Sequence, residues 1–207
     1  MSIGIEHIDD ILADLDQALG KGNVMTPTND SLMNDQTWDT TFLRTFSALL
    51  KLHRAGDSRG DKWFADADKA FLDSIGYTTQ EFYDFVDDHC RYGAEGPTLE
   101  TSLLVAAVRR DYFRVIQNGQ RSGKIVPPGD LPPKPAAVDG IPWLPRLIVK
   151  ARAKLKGEMD PDTMFGCGGD RAFFEQHRLH PADFLRVTWA AENDDRKIID
   201  FVKTGKM

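Results

Sequence analysis

The chain has 207 residues, with 26 Lys plus Arg against 32 Asp plus Glu, a formal charge of −6, and 41% hydrophobic residues. That composition supplies a packed core, excludes a disordered chain, and at this length gives one or two domains. The acidic balance argues against a nucleic-acid partner, and no apolar run reaches the roughly 20 residues of a membrane span.

Residues 1–41 hold eight acids and one lysine, so the acidity sits mostly here, and 42–207 is nearly neutral with 25 basic and 24 acidic residues. Ile5, Ile8, Ile11, Leu12, Leu15 and Leu19 recur at three- and four-residue spacing, which predicts an amphipathic helix over 3–19 followed by a loop. The segment lacks the basic start and apolar block of a secretion signal, so a cytoplasmic protein is expected. Its acidic helix offers a surface for a second copy of the chain.

A first helical unit is expected over 42–118. Phe42, Phe46, Leu49, Leu50 and His53 share one helical face. Thr78 and Glu81 make a capping-box pattern. Residues 98–118 form the longest candidate helix, with Leu104, Val108, Tyr112, Val115 and Ile116 in register and Asn118-Gly119 as its stop. Five of the eleven prolines fall between Pro127 and Pro135, so 119–140 reads as an extended linker. A second helical unit follows over 141–207, opening with a stripe of Leu144, Leu147, Ile148, Ala151 and Leu155. Lys124-Ile125-Val126 is the nearest approach to a strand, and prolines end it. The fold class is therefore all-α.

The two units look related. Adding 102 carries Arg44 onto Arg146, Asp68 onto Asp170, Phe71 onto Phe173 and Phe82 onto Phe184. Thr78 maps onto His180, which precedes Pro181 at a first helical position. Asp68 and Asp170 are expected as N-caps of matching helices.

The runs WLPRLIVKARAKLKG (143–157) and MFGCGGDRAFFEQHRLHPADFL (164–185) resemble the bacterial family called domain of unknown function 5069. Arg146, Lys150, Arg152, Cys167, Asp170 and Phe173 fall on its motif positions. Val149 and His180 depart from it, where the family often has an acid and an Asp cap. The resemblance implies the fold and the repeat, and no reaction.

Arg146, Lys150 and Lys154 recur every four residues and so line one face. Such cations can clamp a carboxylate or phosphate, or form a solvated basic face. Phe165-Gly166-Cys167-Gly168-Gly169-Asp170-Arg171 places three glycines at a helix start, where exposed amides can hold an anion. Cys167 sits at the mouth of that helix, where the backbone dipole favours a thiolate nucleophile. In the plainer alternative the glycines make a tight turn and Cys167 fills space. Cys90 and Cys167 are too few for a disulfide framework. His177 and His180 lie near Cys167 in sequence, as His89 does near Cys90, and a Cys–His pair needs only that the units face each other. No metal-ligand spacing is present. Trp63, Trp143 and Trp189 read as core aromatics.

The functional expectation is a small-molecule enzyme or binding protein with a cleft between the two units. Cys167, Asp170 and His177 are its candidate catalytic residues, and Arg146, Lys150, Arg171, Gly168 and Gly169 would hold a small anionic substrate. No cofactor or metal motif is visible, so lyase, isomerase or hydrolase-type chemistry is expected if it is an enzyme. The alternative is a non-catalytic helical interaction module.

Overall fold

The computed structural model describes residues 37–57 and 63–206, and the helix expected over 3–19, with its surface for a second copy, lies outside them. Helices dominate: α1 (Trp38–Arg54), α2 (Asp66–Ser74), α3 (Thr79–Tyr92), α4 (Leu99–Val115), α5 (Leu144–Lys156), α6 (Gly168–His177), α7 (Pro181–Ala191) and α8 (Asp195–Thr204). The fold is all-α. Among the described residues no helix is long and apolar enough to cross a membrane.

Local chemistry sets the helix starts. Thr78 and Glu81 close a reciprocal capping box at 3.1 Å in each direction, which satisfies two otherwise unpaired amides at the start of α3. Thr98 caps α4, and His180 caps α7 by accepting from the Ala182 amide at 3.2 Å. Asp68 and Asp170 are not N-caps. Each is the third residue of its helix and reaches back to an upstream amide, Ala65 at 3.2 Å and Gly166 at 2.8 Å. α2 begins at Asp66 and α6 at Gly168, α3 at Thr79 and α7 at Pro181, an offset of 102 in both cases.

From Trp38 onward the described residues pack as one compact unit, in which α4 contacts α1, α5 and α7 and so joins the two halves. That placement shifts the register expected for α4. Val105, Ala106, Val108, Arg109 and Phe113 are buried, Leu104 and Tyr112 are half-buried, and Val115 and Ile116 are exposed. A helix with neighbours on several sides buries a broad arc rather than one stripe. Between α4 and α5 the Pro-rich stretch holds a 3₁₀ turn at Pro128–Asp130. A short antiparallel pair follows, β1 (Ala137–Val138) with β2 (Ile141–Pro142). This hairpin was not expected, because two-residue strands carry no periodicity to read. Val126 makes only an isolated bridge to Met159.

The stripe of α5 is buried as expected, and full burial of a leucine or isoleucine is worth about 1.5–3 kcal/mol. Its cationic face is buried too. Lys150 is 3% exposed and Lys154 4%, so the solvated basic face is excluded. An ammonium out of water requires a carboxylate beside it. Lys150 pairs with Asp170 of α6, and Lys154 with Glu81 of α3 at 2.9 Å. The Lys154 ammonium also lies 4.4 Å from the centre of the buried Tyr77 ring. Arg109 is fully buried, donating to the Gly76 carbonyl at 3.1 Å and to Gln117 at 2.9 Å. A Cβ on Gly157 would stand 2.3 Å from that guanidinium, so the end of α5 must be glycine.

Burial works to raise the Glu81 carboxyl, but Lys154 more than offsets it and holds it below its usual value. Burial works likewise to lower Lys154, and Glu81 and Tyr77 outweigh it. Stability from this pair is therefore complete above the ordinary Glu range and lost as pH falls through the depressed Glu81 value. Lys154→Met leaves the Glu81 carboxylate without its cation, with only the Thr78 capping bonds on it, and is expected to cost about 3 kcal/mol in urea denaturation at pH 7. Adding Glu81→Gln, which removes the charge and keeps an oxygen for the Thr78 amide, should restore most of the loss.

Candidate functional site

A cleft of about 440 Å³ opens where α3, α5 and the start of α6 meet. α3 contributes Asp84, Asp87, Asp88 and Tyr92, so one wall is acidic. Trp143, Arg146 and Lys150 line the opposite wall. Cys167, Gly168 and Gly169 come from the α6 start, Lys134 from the Pro-rich segment and Met164 from the loop before α6.

Asp170 organises the floor. It has no exposed surface and accepts from three donors: the Lys150 ammonium, the Trp143 indole at 2.9 Å and the Gly166 amide at 2.8 Å. A carboxylate so occupied positions others and cannot touch a ligand. Lys150 in turn lies 3.2 Å from the Cys167 sulfur. Three sequence candidates, Lys150, Cys167 and Asp170, are thus brought together, with Lys150 and Asp170 as a buried support and Cys167 at the cleft surface.

The glycines divide in role. Gly166 adopts φ +93°, which disfavours any side chain. A Cβ on Gly169 would stand 2.4 Å from the Trp143 ring, so Gly169 lets the indole reach Asp170. Gly168 is exposed on the cleft.

Other expectations are redistributed. Arg171 does not face a ligand as a free cation; it bonds Asp88 at 2.6 Å and the Gly166 carbonyl at 3.0 Å, with Tyr92 against its guanidinium. His177 ends α6, ten residues beyond Cys167 and so about 15 Å along the axis, stacked on Phe173. It cannot act with Cys167. Burial pushes its imidazole down. His89 bonds the Pro97 carbonyl at 2.9 Å and His180 caps α7, so no Cys–His pair forms from either, and both cysteines are free. Among the described residues no group of three His, Cys, Asp or Glu side chains is placed to hold a metal ion.

Charge pairing decides what remains for a ligand. Asp87 is bound by His53 at 2.9 Å and Arg91 at 2.7 Å, which more than offset burial and hold its carboxyl low. Asp88 is taken by Arg171. Arg146 donates to the Pro132 carbonyl at 2.9 Å and lies 6.0 Å from the Trp143 ring, with no carboxylate on it among the described residues. Lys134 is exposed and also lacks one among the described residues. Anion-binding capacity thus rests on Arg146 and Lys134. Asp84 is the odd carboxylate: burial pushes its carboxyl up to about 6, although Gln80 donates to it at 2.7 Å.

Asp84, Asp87 and Asp88 were not singled out in the sequence, and Glu81 only as a capping residue. Their signal was available: Glu81, Asp84 and Asp88 follow helical spacing and mirror the Arg146, Lys150, Lys154 stripe.

No family model, curated protein or solved structure matches the chain.

Gly169→Ala is expected to expel the indole and break the Trp143–Asp170 bond, read as a red shift of tryptophan emission and a loss of about 2 kcal/mol or more. Asp84 has a folded value above its unfolded one, so the native state gains protons between pH 3.8 and about 6 and loses stability as pH rises across that window. Asp84→Asn removes the penalty. Its stability gain should be absent near pH 4, grow towards pH 6 and level off at on the order of 1–2 kcal/mol in pH-dependent urea melts.

Proposed function

We propose that the protein binds a small anionic molecule in this cleft and acts on it, without a cofactor, through the Cys167 thiol. One observation carries the reading: the Cys167 sulfur lies on the cleft surface at a helix start, 3.2 Å from a buried ammonium that Asp170 holds in place. The ammonium donates to the sulfur and so fixes its position at the start of α6, facing the cleft. Arg146 and Lys134 supply the anion-binding charge, with Arg146 able to present a fork to a carboxylate or phosphate.

Asp84 complements the thiol. A carboxyl that titrates near 6 in a cleft is suited to give and take a proton near neutral pH. A nucleophile, a proton-transfer group and an anion anchor fit lyase, isomerase or hydrolase-type chemistry. The resemblance to the domain of unknown function 5069 family belongs to the same proposal. Four of its motif positions, Arg146, Lys150, Cys167 and Asp170, supply the anchor and the supported thiol of one cleft.

Alkylation tests the thiol. Iodoacetamide is expected to modify Cys167 in the folded protein faster than Cys90, whose thiol burial pushes up, with the sites read by peptide mass spectrometry. Reaction of Cys167 only after denaturation would end its role as nucleophile. Acetate and phosphate should raise the melting temperature of the wild-type protein and do so much less in the Arg146→Ala/Lys134→Ala variant. Equal shifts in both proteins would remove the anion anchor.

A further inference from the structure

Beside the main cleft lies a second cavity of about 180 Å³, lined by Phe85 of α3, Thr101 and Val105 of α4, and Phe165, Phe174 and Pro181 from the second half. Its walls are mostly apolar, and the polar groups at its edge have partners. The Thr98 and Thr101 hydroxyls bond each other at 3.0 Å, and Arg171 is held by Asp88 and the Gly166 carbonyl. A water entering would find few partners, whereas an apolar group would shed its own hydration. For scale, an apolar cavity of about 150 Å³ admits a benzene ring, so this one has room for a ring or a chain of about five or six carbons.

The two cavities share a wall. Met164 lines both, and the Asp88–Arg171 pair joins a residue of the main cleft to one of the apolar cavity. Methionine is unbranched and repacks at little cost, so a ligand in the cleft can extend past it.

We propose that the apolar cavity is the subsite for the non-reacting end of the ligand, which is therefore an amphiphilic anion: a carboxylate bearing a short alkyl chain or one aromatic ring. Its charged group lies with Arg146 and Lys134, and its apolar end passes Met164 to lie between Phe85, Val105 and Phe174. This inference rests on the reading of the main cleft given above, and the two can fail separately.

The test is calorimetric titration of the full chain with straight-chain carboxylates from acetate to octanoate, and with toluene as a probe of the apolar cavity alone. In the wild-type protein, affinity should rise about fourfold per methylene once the chain enters the cavity, then level off as the cavity fills. Thr101→Met, which projects into the cavity from the half-exposed side of α4, should flatten that rise and abolish toluene binding while leaving acetate unchanged. Val105→Phe fills the same space from the next turn and repeats the measurement if Thr101→Met does not fold. Arg146→Ala should weaken the whole series by one common factor. A flat wild-type series, or a slope that survives in the filled variants, overturns the apolar subsite. If Arg146→Ala still weakens acetate in that case, the reading of the main cleft stands. If instead the slope and toluene binding appear as expected but Arg146→Ala changes nothing, the cavity is occupied and the anion anchor is the part that fails.

Discussion

Two buried lysines on α5, one turn apart, constrain the structure more than any other feature. Each must meet a carboxylate, because an ammonium transferred into the interior alone would cost several kcal/mol. Lys154 meets Glu81 on α3 and Lys150 meets Asp170 on α6, so one helix fixes the position of an element from each half. The apolar stripe of α5 supplies the area that makes burial favourable. The ion pairs add orientation: Leu144, Leu147 and Leu155 would tolerate small rotations of α5 that the two lysines would not. The cleft follows from this arrangement. α3 is tied to α5 through Glu81 and to α6 through the Asp88–Arg171 pair, and the cleft is the space left between those ties.

Much of the fold was legible because it is written in local chemistry. The capping box at Thr78, Pro181 after His180 and the stripe of α5 each fix an element from neighbouring residues alone. Where expectation and structure part, the deciding partner lies far along the chain. Residues from three other helices bury α4, so its inward arc is wider than its strongest periodicity and includes Arg109. Asp68 and Asp170 share the third position of matching helices but not their partners, Thr45 at 3.3 Å in one case and Lys150 in the other. A caping signal read from short-range pattern cannot tell the first residues of a helix apart, since Asp serves several of them.

The site was legible in its components and not in its charge balance. Cys167 and the glycine run stood out by composition, and Arg146 and Lys150 by spacing. What could not be read was that Lys150 and Arg171 are already neutralised, by Asp170 and Asp88, which moves the free positive charge to Arg146 and Lys134. A single basic stripe suggests a ligand site; the acidic stripe on α3 at matching spacing points instead to pairing within the chain. Of the basic stripe only Lys154 is met by α3, through Glu81, while Lys150 is met by Asp170 of α6, a pairing that neither stripe announces.

Strain places the most constrained backbone beside the same residues. Trp143 adopts φ +69°, a left-handed conformation that costs a non-glycine residue on the order of 1–2 kcal/mol, at the first turn of α5. Its indole donates to Asp170 and fits against a position where only Gly169 leaves room. The strained tryptophan, the glycine beneath it and the carboxylate it binds therefore form one device, whose effect is to hold Lys150 against the Cys167 sulfur. Packing alone does not require it, since the first half closes the corresponding helix start with Ala65 and Asp68 and no glycine run. The left-handed cost at the start of α5 is offset by the bond its indole makes to Asp170 and by the close packing that Gly169 allows, so that backbone, ring and carboxylate together set the position of Lys150.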